Sequence, residues 1–72
     1  MIKMEEVQEQ LQHWGELIIT TDAGETYEIH LGDTEFDKEN RVLQFTTPDA
    51  KIVIDGDTIE SVKMHFSHKM SD

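Results

Sequence analysis

The sequence predicts a mostly β domain of the α+β class: one N-terminal helix followed by a strongly bent, five-stranded antiparallel small barrel. Three observations carry this. Apolar residues at the start recur at helical spacing, from Glu16 onward the period falls to two, and turn signals follow one another closely. No connection is long enough for the crossover helix that a parallel sheet needs.

Met4, Val7, Leu11 and Trp14 lie three, four and three residues apart, with Glu5, Glu6, Gln8, Glu9, Gln10 and Gln12 filling the opposite side. This spacing predicts an amphipathic helix over residues 2–14 that docks by its apolar stripe. Early glutamates suit the positive end of the helix dipole, and Gly15 is placed to end the helix in a left-handed cap.

Leu17, Ile18 and Ile19 with Thr20 and Thr21 make the first strand, and Asp22-Ala23-Gly24-Glu25 makes a turn. Residues 26–31 alternate Tyr27, Ile29 and Leu31 with Thr26, Glu28 and His30, the pattern of a half-buried strand. Gly32-Asp33 reads as a bulge or bend, after which Thr34-Glu35-Phe36 continues the same strand. Asp37-Lys38-Glu39-Asn40 turns the chain into a third strand bearing Leu43 and Phe45, which Pro48 closes because it lacks a ladder amide. A fourth strand, 51–55, places Ile52 and Ile54 inward with Val53 opposite, and Gly56-Asp57 turns the chain again. Ile59 is out of phase with Val62, Met64 and Phe66, so a short turn at 57–59 is expected before a last strand over 60–66. The barrel thus spans residues 16–66, with a tail at 67–72, in a single domain covering 1–72.

Length and charge limit what such a domain does. Its 72 residues carry 16 Asp plus Glu against 6 Lys plus Arg, a formal net charge of −10. The chain is too short for a second core, which excludes a two-domain enzyme or a large cofactor fold. Leu, Ile, Val and Phe supply 18 residues, a quarter of the chain and above the roughly 20% below which charged chains stay unfolded. The absence of cysteine removes disulfides, thiolate metal sites and cysteine catalysis together. No run approaches the roughly 18 apolar residues of a membrane span, and residues 1–14 are too acidic for a signal peptide, so no membrane partner and a cytoplasmic location are expected.

A core this small leaves self-association as the remaining common support. Ile52, Val53 and Ile54, with Val62, Met64 and Phe66, occupy the expected edge strands, where unpaired amides and carbonyls invite pairing with another copy. A head-to-tail contact of this kind closes into a ring when the rotation per subunit divides a full turn.

Two local patterns resemble the motifs of the Sm-like small-barrel family. Gly24-x-x-Tyr27 with Leu31, Phe36-Asp37, Asn40 and Val42-Leu43 is similar to the family's first motif, and Ile54-x-Gly56-x-x-Ile59-x-x-Val62 to its second. The resemblance implies a ring of subunits holding single-stranded RNA, with base contact at Asn40, a supporting bond from Asp37 and close approach at Gly56. Departures are specific. Ile29 stands where the family bends at glycine, the stretch from Tyr27 to Phe36 is longer, and that from Asp37 to Asn40 is shorter. Asp55 stands where the family carries a basic residue, which places negative charge at the same spot. Nucleic-acid affinity rests on phosphate neutralisation, so this charge and the net −10 oppose it. An unrelated SH3-like barrel serving as a protein-interaction domain accounts for the same strand pattern.

Other chemistry finds little footing. Asp55, Asp57 and Glu60 cluster around a turn, yet aspartates favour turns by bonding their own backbone, and the spacing matches no calcium loop. His65 and His68 point to opposite faces of a strand, and His30 lies on the polar face of another, so all read as solvated. Ser61 and Ser67 lack a nucleophile-elbow context, and no glycine-rich phosphate loop occurs. The chain therefore reads as non-enzymatic, with no catalytic residue, metal site or cofactor. It reads as an interaction module that self-assembles, alternatively as an acidic inhibitor or decoy presenting carboxylates to a basic protein partner.

Overall fold

The computed structural model describes residues 2–64, which form one helix and six strands. Helix α1 (Met4–Trp14) is followed by β1 (Glu16–Thr21), β2 (Thr26–His30), β3 (Thr34–Asp37), β4 (Val42–Thr47), β5 (Ala50–Asp55) and β6 (Ile59–Lys63). They make two three-stranded antiparallel sheets, ordered β2-β1-β6 and β3-β4-β5.

This corrects the expected architecture. The helix-plus-sheet composition stands, but the described residues form no five-stranded barrel: their strands number six, and the two sheets do not close on one another. The reason lies at residues 31–33. Gly32 takes a φ of +96°, and the Asp33 amide donates to the His30 carbonyl at 3.2 Å, so the bend expected within one strand becomes a turn that ends the ladder. Before it the chain pairs with β1; after it the chain pairs with β4. Leu31 falls in this turn and is exposed instead of sharing the inward face of Tyr27 and Ile29. A second turn at 56–58 returns the chain to the first sheet, built by Asp55, whose Oδ1 accepts the Asp57 amide at 2.9 Å.

Each sheet turns its apolar face to a common core. Val7 and Leu11 of α1, Leu17 and Ile19 of β1, Ile29, Leu43, Phe45, Ile54 and Ile59 pack as one buried cluster, and Met4 is fully buried beside it. Ile59 is buried while Val62 also packs against the core, because the β1–β6 register slips between Thr20 and Thr21. A turn does precede β6, but it ends at Thr58 so that Ile59 already lies in the strand, and the β-bulge within the β1–β6 ladder carries the phase break.

Helix α1 begins at Met4, two residues later than expected. Ile2 instead lies alongside β6, its amide donating to the Ile59 carbonyl at 2.9 Å, and the Lys3 amide donates to Glu6 Oε1 at 3.3 Å, the backbone half of a capping box. Gly15 ends the helix in the left-handed conformation, φ 85°, as its position predicted.

Candidate functional site

The loop between β3 and β4 and the turn between β5 and β6 come together at one end of the molecule, because β4 pairs with both β3 and β5. The Gly56 amide donates to the Arg41 carbonyl at 2.8 Å, which fixes one loop on the other. Asp37 organises the first loop: its Oδ1 accepts the amides of Glu39 and Asn40, and its Oδ2 accepts Asn40 Nδ2 at 2.9 Å. These bonds, Asn40's foremost, hold the Asp37 carboxyl below its usual range. Asp37, Asn40 and Gly56 therefore lie at one end, with Asp37 and Asn40 in direct contact. Gly56 is buried, and a side chain there would collide with Met4, so what approaches it closely is α1.

Arg41 was not singled out by its sequence context, yet it organises this end. Its guanidinium donates to both oxygens of Glu5 on α1, at 2.6 and 3.1 Å, and to Asp57 through Nε and Nη2, the shortest bond being 2.7 Å. Arg41 takes φ 57°, the left-handed region that costs a side-chain-bearing residue. The bond with Arg41 lowers the Glu5 carboxyl to about 2 and pulls Asp57 below its usual range, while both carboxylates hold Arg41 more firmly charged. Glu5, Asp37, Glu39, Asp55 and Asp57 thus outnumber Arg41 and Lys38 here. Sequence reading missed the network because its partners lie 16 and 36 positions from Arg41.

The turn carboxylates read as a candidate calcium set are engaged in folding: Asp55 caps its own turn and Asp57 binds Arg41. Ile52, Val53 and Ile54 lie on β5 and Val62 on β6, each the outermost strand of its sheet among the described residues, although the outer side of β6 is already taken at Ile59, whose carbonyl accepts the Ile2 amide. Their side chains differ. Ile54 is buried in its own core, Ile52, Val62 and Met64 are half-buried, and Val53 is 57% exposed. Phe66, His65, Ser67 and His68 lie outside the described residues.

A different group converges on the outer face of the first sheet. Glu16 of β1 pairs directly with His30 of β2, and Glu28 lies two residues before His30 on the same face. His30 Nε2 donates to Glu16 Oε2 at 2.9 Å and lies 4.0 Å from Glu28 Oε1. One ligand atom from each falls within 4.8 Å of the others. The sequence carried the signal for this pairing, since counting outward from Thr21 and Glu25 across the Asp22–Gly24 turn sets Glu16 against His30. Beside this group, a cleft of about 410 Å³ separates the free side of β2 from the end of β4, lined by Tyr27, His30, Thr34, Phe45 and Pro48 among others. Tyr27 and Phe45 meet edge to face at 5.8 Å across its floor, and the buried Thr34 hydroxyl has no partner.

No protein-family model, curated protein or solved structure matches the chain. The Sm-like resemblance therefore rests on its local motifs alone. No helix among the described residues is long and apolar enough to cross a membrane.

Proposed function

We propose that the protein is a non-enzymatic interaction module whose copies associate edge to edge, the free side of β5 on one subunit taking the outer side of β6 beyond Ile59 on the next. The observation that carries this reading is Val53, an apolar residue 57% exposed on an edge strand and flanked by Lys51 and Asp55. Edge strands left open present unpaired amides and carbonyls that an identical copy satisfies. Because β5 and β6 are different edges, the contact is head to tail, and a closed ring follows if the rotation divides a full turn. A core of only ten buried apolar residues among the described residues 2–64 gives further reason to recruit neighbours.

Light scattering after size exclusion at tens of micromolar tests the assembly. The expected mass is a multiple of 8.4 kDa, and a strictly monomeric mass removes the reading.

A second reading, an acidic decoy for a basic protein, is favoured by the carboxylates gathered around Arg41. The same charge disfavours RNA at Asp37, Asn40 and Gly56. Titration with short uridine and adenine oligonucleotides at low salt separates the two: binding there restores RNA as the ligand, and no binding leaves protein partners, whose charge contacts weaken with salt.

A further inference from the structure

We infer that Glu16, Glu28 and His30 form a binding site for a divalent transition-metal ion, zinc being the probe of choice. The three donors come from a hairpin whose ladder fixes them. Glu16 and His30 are directly paired across β1 and β2, and Glu28 shares the face of His30 by the two-residue strand period. Thr20 and Thr26, at the far end of the same face, bond through their hydroxyls at 3.3 Å, so the hairpin holds its register along its length.

Distances decide the chemistry. A tetrahedral ion with N and O ligands at about 2.0–2.1 Å sets its donors roughly 3.4 Å apart. Here His30 Nε2 lies 2.9 Å from Glu16 and 4.0 Å from Glu28, values that bracket that spacing, so modest side-chain rotation, with the imidazole proton carried on Nδ1 so that the Nε2 lone pair is free to bind, places all three on one ion. An imidazole with two carboxylates suits zinc and its first-row neighbours better than calcium or magnesium, which prefer all-oxygen shells. Glu16 is the anchored member, its side chain 17% exposed, whereas Glu28 and His30 are half-exposed and admit an ion from solvent. Three protein ligands leave the remaining positions to water, and because Glu28 and His30 also line the cleft beside β4, the ion borders that cleft.

The test is calorimetric titration of the full chain with zinc at neutral pH, paralleled by cobalt, whose visible absorption reports coordination geometry. Saturable binding of one equivalent is expected, weakened at least about tenfold in both His30→Gln and Glu16→Gln, since loss of even an outer-shell partner costs that much. Circular dichroism confirms that each variant folds. His13→Gln and the double variant His65→Gln/His68→Gln are expected to bind as the unmodified chain does. Three results overturn the inference: no saturable binding of either metal, binding that survives His30→Gln, or binding abolished by the His65→Gln/His68→Gln pair.

Discussion

Arg41 and Glu5, 36 positions apart in the chain, meet through two side-by-side bonds of 2.6 and 3.1 Å, a bidentate guanidinium–carboxylate pair that ties the first turn of the helix to the loop between β3 and β4. The same guanidinium reaches Asp57, so three segments distant in sequence share one cation.

Replacing Arg41 with alanine is expected to lower stability near neutral pH, and the gap from wild type should close on acidification. Glu5 titrates near 2 when folded against an ordinary 4.5, and Asp57 is lowered as well. A carboxylate with a depressed folded pKa contributes stability above its ordinary value and loses it as pH falls through the folded one. Urea midpoints of wild type and Arg41→Ala near pH 7, 4 and 2 follow this directly. These groups are exposed, so high salt at pH 7 should also narrow the gap. Arg41→Gly, which relieves the positive φ, should melt above Arg41→Ala.

Gly56→Ala should cost about 1–3 kcal/mol by overpacking. The added Cβ would lie 2.8 Å from Met4 Cγ and 3.0 Å from its Cβ, so swinging the thioether aside does not clear the clash. Combining Gly56→Ala with Met4→Ala should cost less than the sum of the single changes. Additive losses in denaturant melts would disprove the contact.

At Gly32 the constraint is purely conformational. Nothing lies within 4 Å of an added Cβ, yet φ is +96°. Gly32→Ala is therefore expected to cost about 1–2 kcal/mol through the backbone alone, and Gly32→Asn less.

Val53→Lys and Leu43→Ala should separate assembly from folding. Leu43 is fully buried, and its truncation should cost about 2–5 kcal/mol. Val53 is 57% exposed, so its change to lysine should alter monomer stability by no more than about 0.5 kcal/mol while shifting the scattering mass to a single chain.

Much of the fold was legible in residue order. Met4, Val7, Leu11 and Trp14 announced the helix, Gly15 its end, and the alternation around Ile29 its strand. What misled was continuity. Gly32 read as a kink within one strand, but its positive φ and the turn around it end the ladder, and one bent strand becomes two strands in separate sheets. Ile59 showed its phase break openly, and the expected turn is there one residue earlier, but the break itself is absorbed by a bulge opposite Thr20 and Thr21 inside the strand. Of the candidate sites, Asp37 and Asn40 were placed by a local turn and so were readable. Arg41 was not, because its partners come from elements that only the tertiary fold brings near. Glu16 and His30 lie between these cases: their pairing follows from hairpin counting, but their convergence with Glu28 depends on rotamers that no spacing rule specifies.

The second sheet is contiguous in sequence, running through β3, β4 and β5 by short links, whereas the first is completed only when β6 crosses back to β1, pairing Lys63 with Ile18. Neighbouring segments close small loops cheaply and early, and distant ones late. The β3–β5 meander should accordingly form the folding nucleus, with truncations at Leu43 slowing refolding and truncations at Val62 chiefly hastening unfolding. A nascent chain would leave the ribosome with the β1–β2 hairpin already local, and β6, which flanks β1 on its other side, would be the last strand to arrive.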